Sequence, residues 1–138
     1  MEQIVKHQED WDDVINKNFE KFSNGQFSDN VIYLNGAKRN DSNPIWHCGY
    51  SLGVVKLFVV QGMITLPDLA AGQTIDVFNI PAITSKVQSI QAYYSGPDRG
   101  VKLNNDGSVP GTFSASNTTS DTNKNLVMNF KLLAICDY

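Results

Sequence analysis

The sequence predicts an all-β chain: an antiparallel β-sandwich, jelly-roll-like head preceded by one short amphipathic α-helix. Three observations carry that expectation. Residues 9 to 22, EDWDDVINKNFEKF, repeat apolar side chains at helical spacing. After the turn-forming run SNGQFSDN the period changes, and short apolar-alternating runs follow one another between Gly, Pro, Asn and Asp. No second helical pattern interrupts those runs, which favours a sandwich over an α/β fold.

The helix comes first. At 3.6 residues per turn Trp11, Ile15, Asn18 and Phe22 share one narrow stripe flanked by Val14 and Phe19, with Asp12, Asp13, Lys17, Glu20 and Lys21 opposite. Acidic residues crowd its first turn and lysines its last, matching the helix dipole, and Gly25 follows as a stop. About fourteen residues is marginal for an isolated helix in water, so the stripe needs cover. Docking on its own domain would supply it. So would self-association, in which Asn18 in the seam fixes register.

Residues 1–28 therefore form a helical oligomerisation or docking segment, and residues 29–138 the head. Strands are expected at 31–35, 44–50, 54–66, 74–80, 87–94, 100–104, 109–115 and 126–136. Asn105-Asp106-Gly107 is the strongest hairpin signal, because Asp-Gly readily supplies the positive φ of a tight turn. The run VVKLFVVQGMITL is apolar on both faces, with Val54, Phe58, Val60 and Ile64 on one and Val55, Leu57, Val59 and Met63 on the other. Either it is a central strand covered on both sides, or its outer face meets another subunit.

Composition narrows the function. The 138 residues suit one domain, and 11 basic against 14 acidic residues give a net charge of −3 without a basic cluster, which argues against nucleic-acid binding. The start, MEQIVKHQED, lacks an apolar signal region, and the longest apolar run is broken by Lys56 and Gln61, so neither a leader nor a membrane span is expected. Cys48 and Cys136 lie in apolar strand segments and read as buried thiols rather than a disulfide.

The stretch GYSLG contains Gly-x-Ser-x-Gly around Ser51. A nucleophile elbow needs a helix next and a histidine later in the chain; here a β-branched run follows, and the only histidines, His7 and His47, come first. Ser51 reads as part of a glycine-rich turn. His47 and Cys48 are neighbours on opposite strand faces, a poor nucleophile pair, and no ligand spacing supports a metal site. Asp98 and Asp106 are the nearest candidates for paired catalytic carboxylates, but acidic loop residues are usually turn formers. No cofactor and no enzymatic activity are expected.

Recognition surfaces are a better match. YYSGPDRG, residues 93–100, sets amphipathic rings beside hydrogen-bond formers, a mixture suited to a sugar, with Tyr94, Asp98 and Arg99 as candidate ligands. The plainer reading is a loop with Tyr93 in the core and Tyr94 at the rim. SASNTTSDTNKN, residues 114–125, reads as a long polar loop, functional or simply mobile. Trp46 reads as core.

The pattern carried by Trp11, Ile15, Asn16, Asn18 and Phe19 resembles a helix-opening segment near the start of tail-fibre and baseplate proteins of bacteriophages that infect Gram-positive bacteria. The remainder, from VIYLNGAKR through LNNDGSVPGTF to LVMNFKLLAICDY, is similar to the β-sandwich heads of such proteins. The resemblance implies a homotrimeric virion protein whose heads bind a host cell-wall saccharide and which contacts other virion proteins. A structural virion component without saccharide binding, such as a head fibre, decoration or assembly protein, is the alternative. The chain lacks the family's long shoulder or extended coiled coil, and no binding residue transfers position by position.

Overall fold

The computed structural model describes residues 27–96 and 99–138. The helical stripe of Trp11, Ile15, Asn18 and Phe22, and the loop residue Asp98, lie outside the described residues. The described residues form nine strands: β1 (Ile32–Tyr33), β2 (Lys38–Arg39), β3 (Trp46–Ser51), β4 (Val55–Thr65), β5 (Thr74–Asn79), β6 (Val87–Ser95), β7 (Val101–Asn105), β8 (Thr112–Asn117) and β9 (Val127–Asp137). They form two antiparallel sheets. One has the order β1-β5-β8-β7; in the other, β2-β4-β9-β6, β3 also pairs with β4.

Only β3–β4 and β7–β8 are neighbours both in sequence and in a sheet. The central pairs, β4 with β9 and β5 with β8, join segments far apart in sequence, so the core closes only through long-range pairing. Phe78 stacks on Phe113 at 5.0 Å and on Phe130 of the opposite sheet at 5.8 Å between ring centroids. Ile45, Val60, Ile64, Leu132 and Ala134 fill the space around them. Rings at these separations add attraction to that of area burial.

The β3–β4 connection settles the Ser51 motif. Ser51 pairs with Lys56, Leu52 N–H donates to the Val55 carbonyl at 2.9 Å, and Gly53 takes a φ of 81° in the turn. His47 points inward, buried, its Nε2 3.1 Å from the Asn30 carbonyl oxygen. Cys48 occupies the outer face and Cys136 the inner one, and both are free thiols.

Three local expectations are corrected. The hairpin at Asn105-Asp106-Gly107 exists, but its positive φ falls at Gly111 (78°); Asp106 Oδ1 instead accepts the Ser108 N–H at 2.9 Å and its hydroxyl at 2.7 Å. The turn is thus built by a side chain mimicking the backbone. Trp46 is not core but 37% exposed, because its partner Gln61 lies on the outer face of β4. The polar run after β8 is anchored: buried Asn117 donates to the Leu69 and Asp121 carbonyls at 3.0 and 2.8 Å, and accepts from Thr119 N–H at 3.0 Å.

β4 is central, with β2 and β3 along one edge and β9 along the other. Phe58, Val60 and Ile64 point into the core, and Leu57, Val59 and Met63 stand half-buried on the outer face. Val54 belongs to the turn, not the strand, and is exposed. Ser28 exchanges both backbone hydrogen bonds with His47 at 2.9 Å on the free side of β3. Antiparallel pairing puts Phe27 on the Cys48 side of that bridge.

Candidate functional site

The five-stranded sheet has a near end, with the Leu52–Val54 turn and Tyr138, and a far end, where β6 finishes at Ser95 opposite Asn129. Two depressions lie at the far end. The first, about 190 Å³, is walled by Tyr94, Arg99, Lys102, Val127 and Met128. The second, about 500 Å³, lies over the outer face among Asn43, Gln61, Tyr93 and Lys131. Ser95 and Asn129 line both, which makes one continuous surface.

The two tyrosines have exchanged their expected places. Ile90, Ala92 and Tyr94 alternate inward on β6 and pack against the core, which leaves Tyr93 on the outer face, 53% exposed. Tyr94 is committed to structure: its hydroxyl accepts the Leu103 N–H at 2.7 Å, and the Lys102 ammonium sits 5.1 Å from its ring centroid. It forms a wall rather than an open platform. Arg99 is exposed and held by its neighbours, its Nη2 donating to the Lys124 carbonyl at 2.9 Å while its own carbonyl accepts from Asn123 Nδ2 at 2.8 Å. Thr118 N–H and hydroxyl both donate to the Gly100 carbonyl, at 2.8 and 2.7 Å. The segment after β8 thus splints the loop that carries Arg99.

Sequence reasoning brought Tyr94 and Arg99 to one groove but missed Tyr93, Gln61, Asn129 and Lys131. A signal for them was present. Gln61 and Lys131 are polar residues on the outer face of two largely apolar strands, and they pair in register between Trp46 and Tyr93. The resulting row, Trp46–Gln61–Lys131–Tyr93, sets an exposed ring at each end, about 14 Å apart at ordinary strand spacing. Amide, hydroxyl and ammonium groups beside exposed rings can stack on and hydrogen-bond to a polyhydroxylated ligand.

A different chemistry marks the four-stranded sheet. Asp76 on β5 and Asp106 after β7 approach within hydrogen-bonding range. Burial, then the neighbouring carboxylate, pushes Asp76 above the usual carboxylate range, while the Ser108 hydrogen bonds hold Asp106 below it. Asp106 is the turn former of the β7–β8 hairpin, and this pair joins the two sides of that sheet's outer surface. Among the described residues no group of three or more His, Cys, Asp or Glu could hold a metal ion, and no helix is long and apolar enough to cross a membrane.

Comparison with known proteins adds no assignment: no family model matches the chain, and neither does any curated protein or solved structure.

Proposed function

We propose that this protein is a non-enzymatic adhesion module of a bacteriophage virion, a homotrimer whose β-sandwich heads bind a saccharide of the host cell surface. One observation carries the reading. Tyr93, Ser95, Asn129 and Lys131 form a polar, ring-bearing depression of about 500 Å³ at one end of the five-stranded sheet, open on its outer face.

The chemistry agrees. Tyr93 offers an accessible ring face, Gln61 and Asn129 offer both donors and acceptors, and Arg99 and Lys131 offer cationic donors. A shallow open surface of this kind holds a single sugar weakly, and three heads on one stem, repeated over a particle, turn weak sites into firm attachment. Asp98, next to Arg99 in sequence, belongs to the proposed ligand set, and Tyr94 is the supporting wall.

The test uses purified cell walls from a panel of Gram-positive bacteria and the polysaccharide released from them. The protein binds at least one wall, and Tyr93→Ala and Arg99→Ala each weaken binding about 5–20-fold, the effect of losing one well-placed contact of about 1–2 kcal/mol. Equal retention of the parent and both variants on every wall, or no binding to any, overturns the reading.

A further inference from the structure

We infer that the ligand of the far-end surface is an anionic saccharide, with its phosphate or carboxylate group in the groove beside Arg99 and its sugar body over Tyr93 and Lys131. This rests on the saccharide-binding reading above and names the class of sugar. The charge of that surface is one-sided. Arg99, Lys102 and Lys131 line the two depressions, and no carboxylate of the described residues does. The chain as a whole carries a net charge of −3, so this excess of cations is local rather than general. Elsewhere opposite charges meet: Arg39 takes up both Asp29 and Asp41, at 3.2 and 3.3 Å.

Arg99 and Lys131 are not neutralised in that way among the described residues. The Arg99 Nη2 donates to the Lys124 carbonyl, while its Nε and Nη1 have no partner among the described residues. Because Nη2 and the Arg99 carbonyl are both held, the rest of the planar fork is positioned before a ligand arrives, and its shape matches two oxygens of a phosphate or carboxylate. Lys131 is exposed, and its cross-strand neighbours Gln61 and Tyr93 are uncharged, so no cross-strand ion pair balances it. The floor of the groove is apolar, because Val101, Leu126 and Met128 are buried beneath its rim. Beside such walls a charge pair is screened less than on open surface, so an anion held there by Arg99 gains more than one held by an isolated surface cation. The two depressions meet at the Ser95–Asn129 pair, one two-residue step, about 7 Å, from the Tyr93–Lys131 pair. A single ligand therefore reaches both cations, with a hydroxyl and an amide between them for its own hydroxyl groups.

The experiment uses the unmodified protein and the polysaccharide of a wall that retains it. Binding is measured across a sodium chloride series, and then in competition with three soluble polymers at matched ionic strength: poly(glycerol phosphate), polygalacturonate and neutral dextran. The inference expects affinity to fall at least about fivefold between about 0.05 and 0.5 M salt. It also expects poly(glycerol phosphate) or polygalacturonate to displace the polysaccharide at a concentration at least about tenfold below that of dextran, and the better of the two identifies the anion as phosphate or carboxylate. Arg99→Gln with Lys131→Gln, which keeps hydrogen-bonding groups and removes both charges, flattens the salt dependence; Arg99→Lys alone keeps it. Binding that ignores salt, or displacement in which neither anionic polymer outperforms dextran, overturns the inference and leaves binding of a neutral saccharide standing. Failure to bind any wall overturns both.

Discussion

Replacing Asn117 by alanine probes the link between the buried polar chemistry of this sandwich and its candidate ligand loop. Asn117 is 1% exposed and its side chain makes four hydrogen bonds. Its Nδ2 donates to the Leu69 and Asp121 carbonyls, and its Oδ1 accepts from Thr119 N–H and, at 2.7 Å, from the Thr119 hydroxyl. Two of the four partners keep a substitute in the variant: the Leu69 carbonyl still accepts Asn123 N–H at 2.8 Å, and the Asp121 carbonyl still accepts the Thr119 hydroxyl at 3.0 Å. The Thr119 N–H loses the partner Asn117 supplied. Four bonds at about 1 kcal/mol net each, two of whose partners keep a substitute, give an expected loss of about 2–4 kcal/mol. For a domain near 110 residues that lowers Tm by about 8–16 °C. Urea unfolding with a calorimetric melt measures it. Because Thr118 and Asn123 hold the backbone of Arg99 and Gly100, the variant also weakens cell-wall binding at temperatures where it is still folded. A loss below about 0.5 kcal/mol would refute the claim that this asparagine anchors the segment.

Tyr94→Phe keeps the ring and removes the acceptor of Leu103 N–H, so stability falls by about 1–2 kcal/mol in urea unfolding, whereas Tyr93→Ala leaves stability nearly unchanged. Gly62→Ala destabilises by about 2–4 kcal/mol by the same assay: Gly62 sits at a φ of 144°, and an added Cβ would strike the Pro44 carbonyl and lie 2.8 Å from Ile45 Cα. Asp76 has a folded-state pKa above its ordinary value, so the stability it contributes is present at low pH and is lost as pH rises through that value. Asp76→Asn is therefore as stable as the parent near about pH 3 and more stable near about pH 7, read from thermal melts across that range; a parent more stable than the variant at neutral pH would contradict it.

Much of the sandwich was legible because alternation reports burial directly. The strands expected at 54–66, 74–80 and 126–136 match β4, β5 and β9 to within one residue at each end. What alternation does not report is which face is inside. Trp46 and Tyr93 are apolar enough for a core, and only their partners, Gln61 and Lys131 on the outer face, fix them outward. For Tyr93 the signal was present in the inward series Ile90–Ala92–Tyr94. The strand Lys38–Arg39 was illegible because two exposed basic residues have no periodicity to read, and its pairing with Ile64 and Thr65 comes from the fold. The anchored run after β8 was read as a free loop because its anchors are asparagines, whose side chains replace the apolar contacts that sequence patterns detect.

Multi-angle light scattering of the 138-residue protein at about 1 µM decides the most, since firm attachment through weak sites is argued from three heads held together. A single species of about 46 kDa, against 15.3 kDa for one chain, is the expected result. A homogeneous 15.3 kDa species would contradict it.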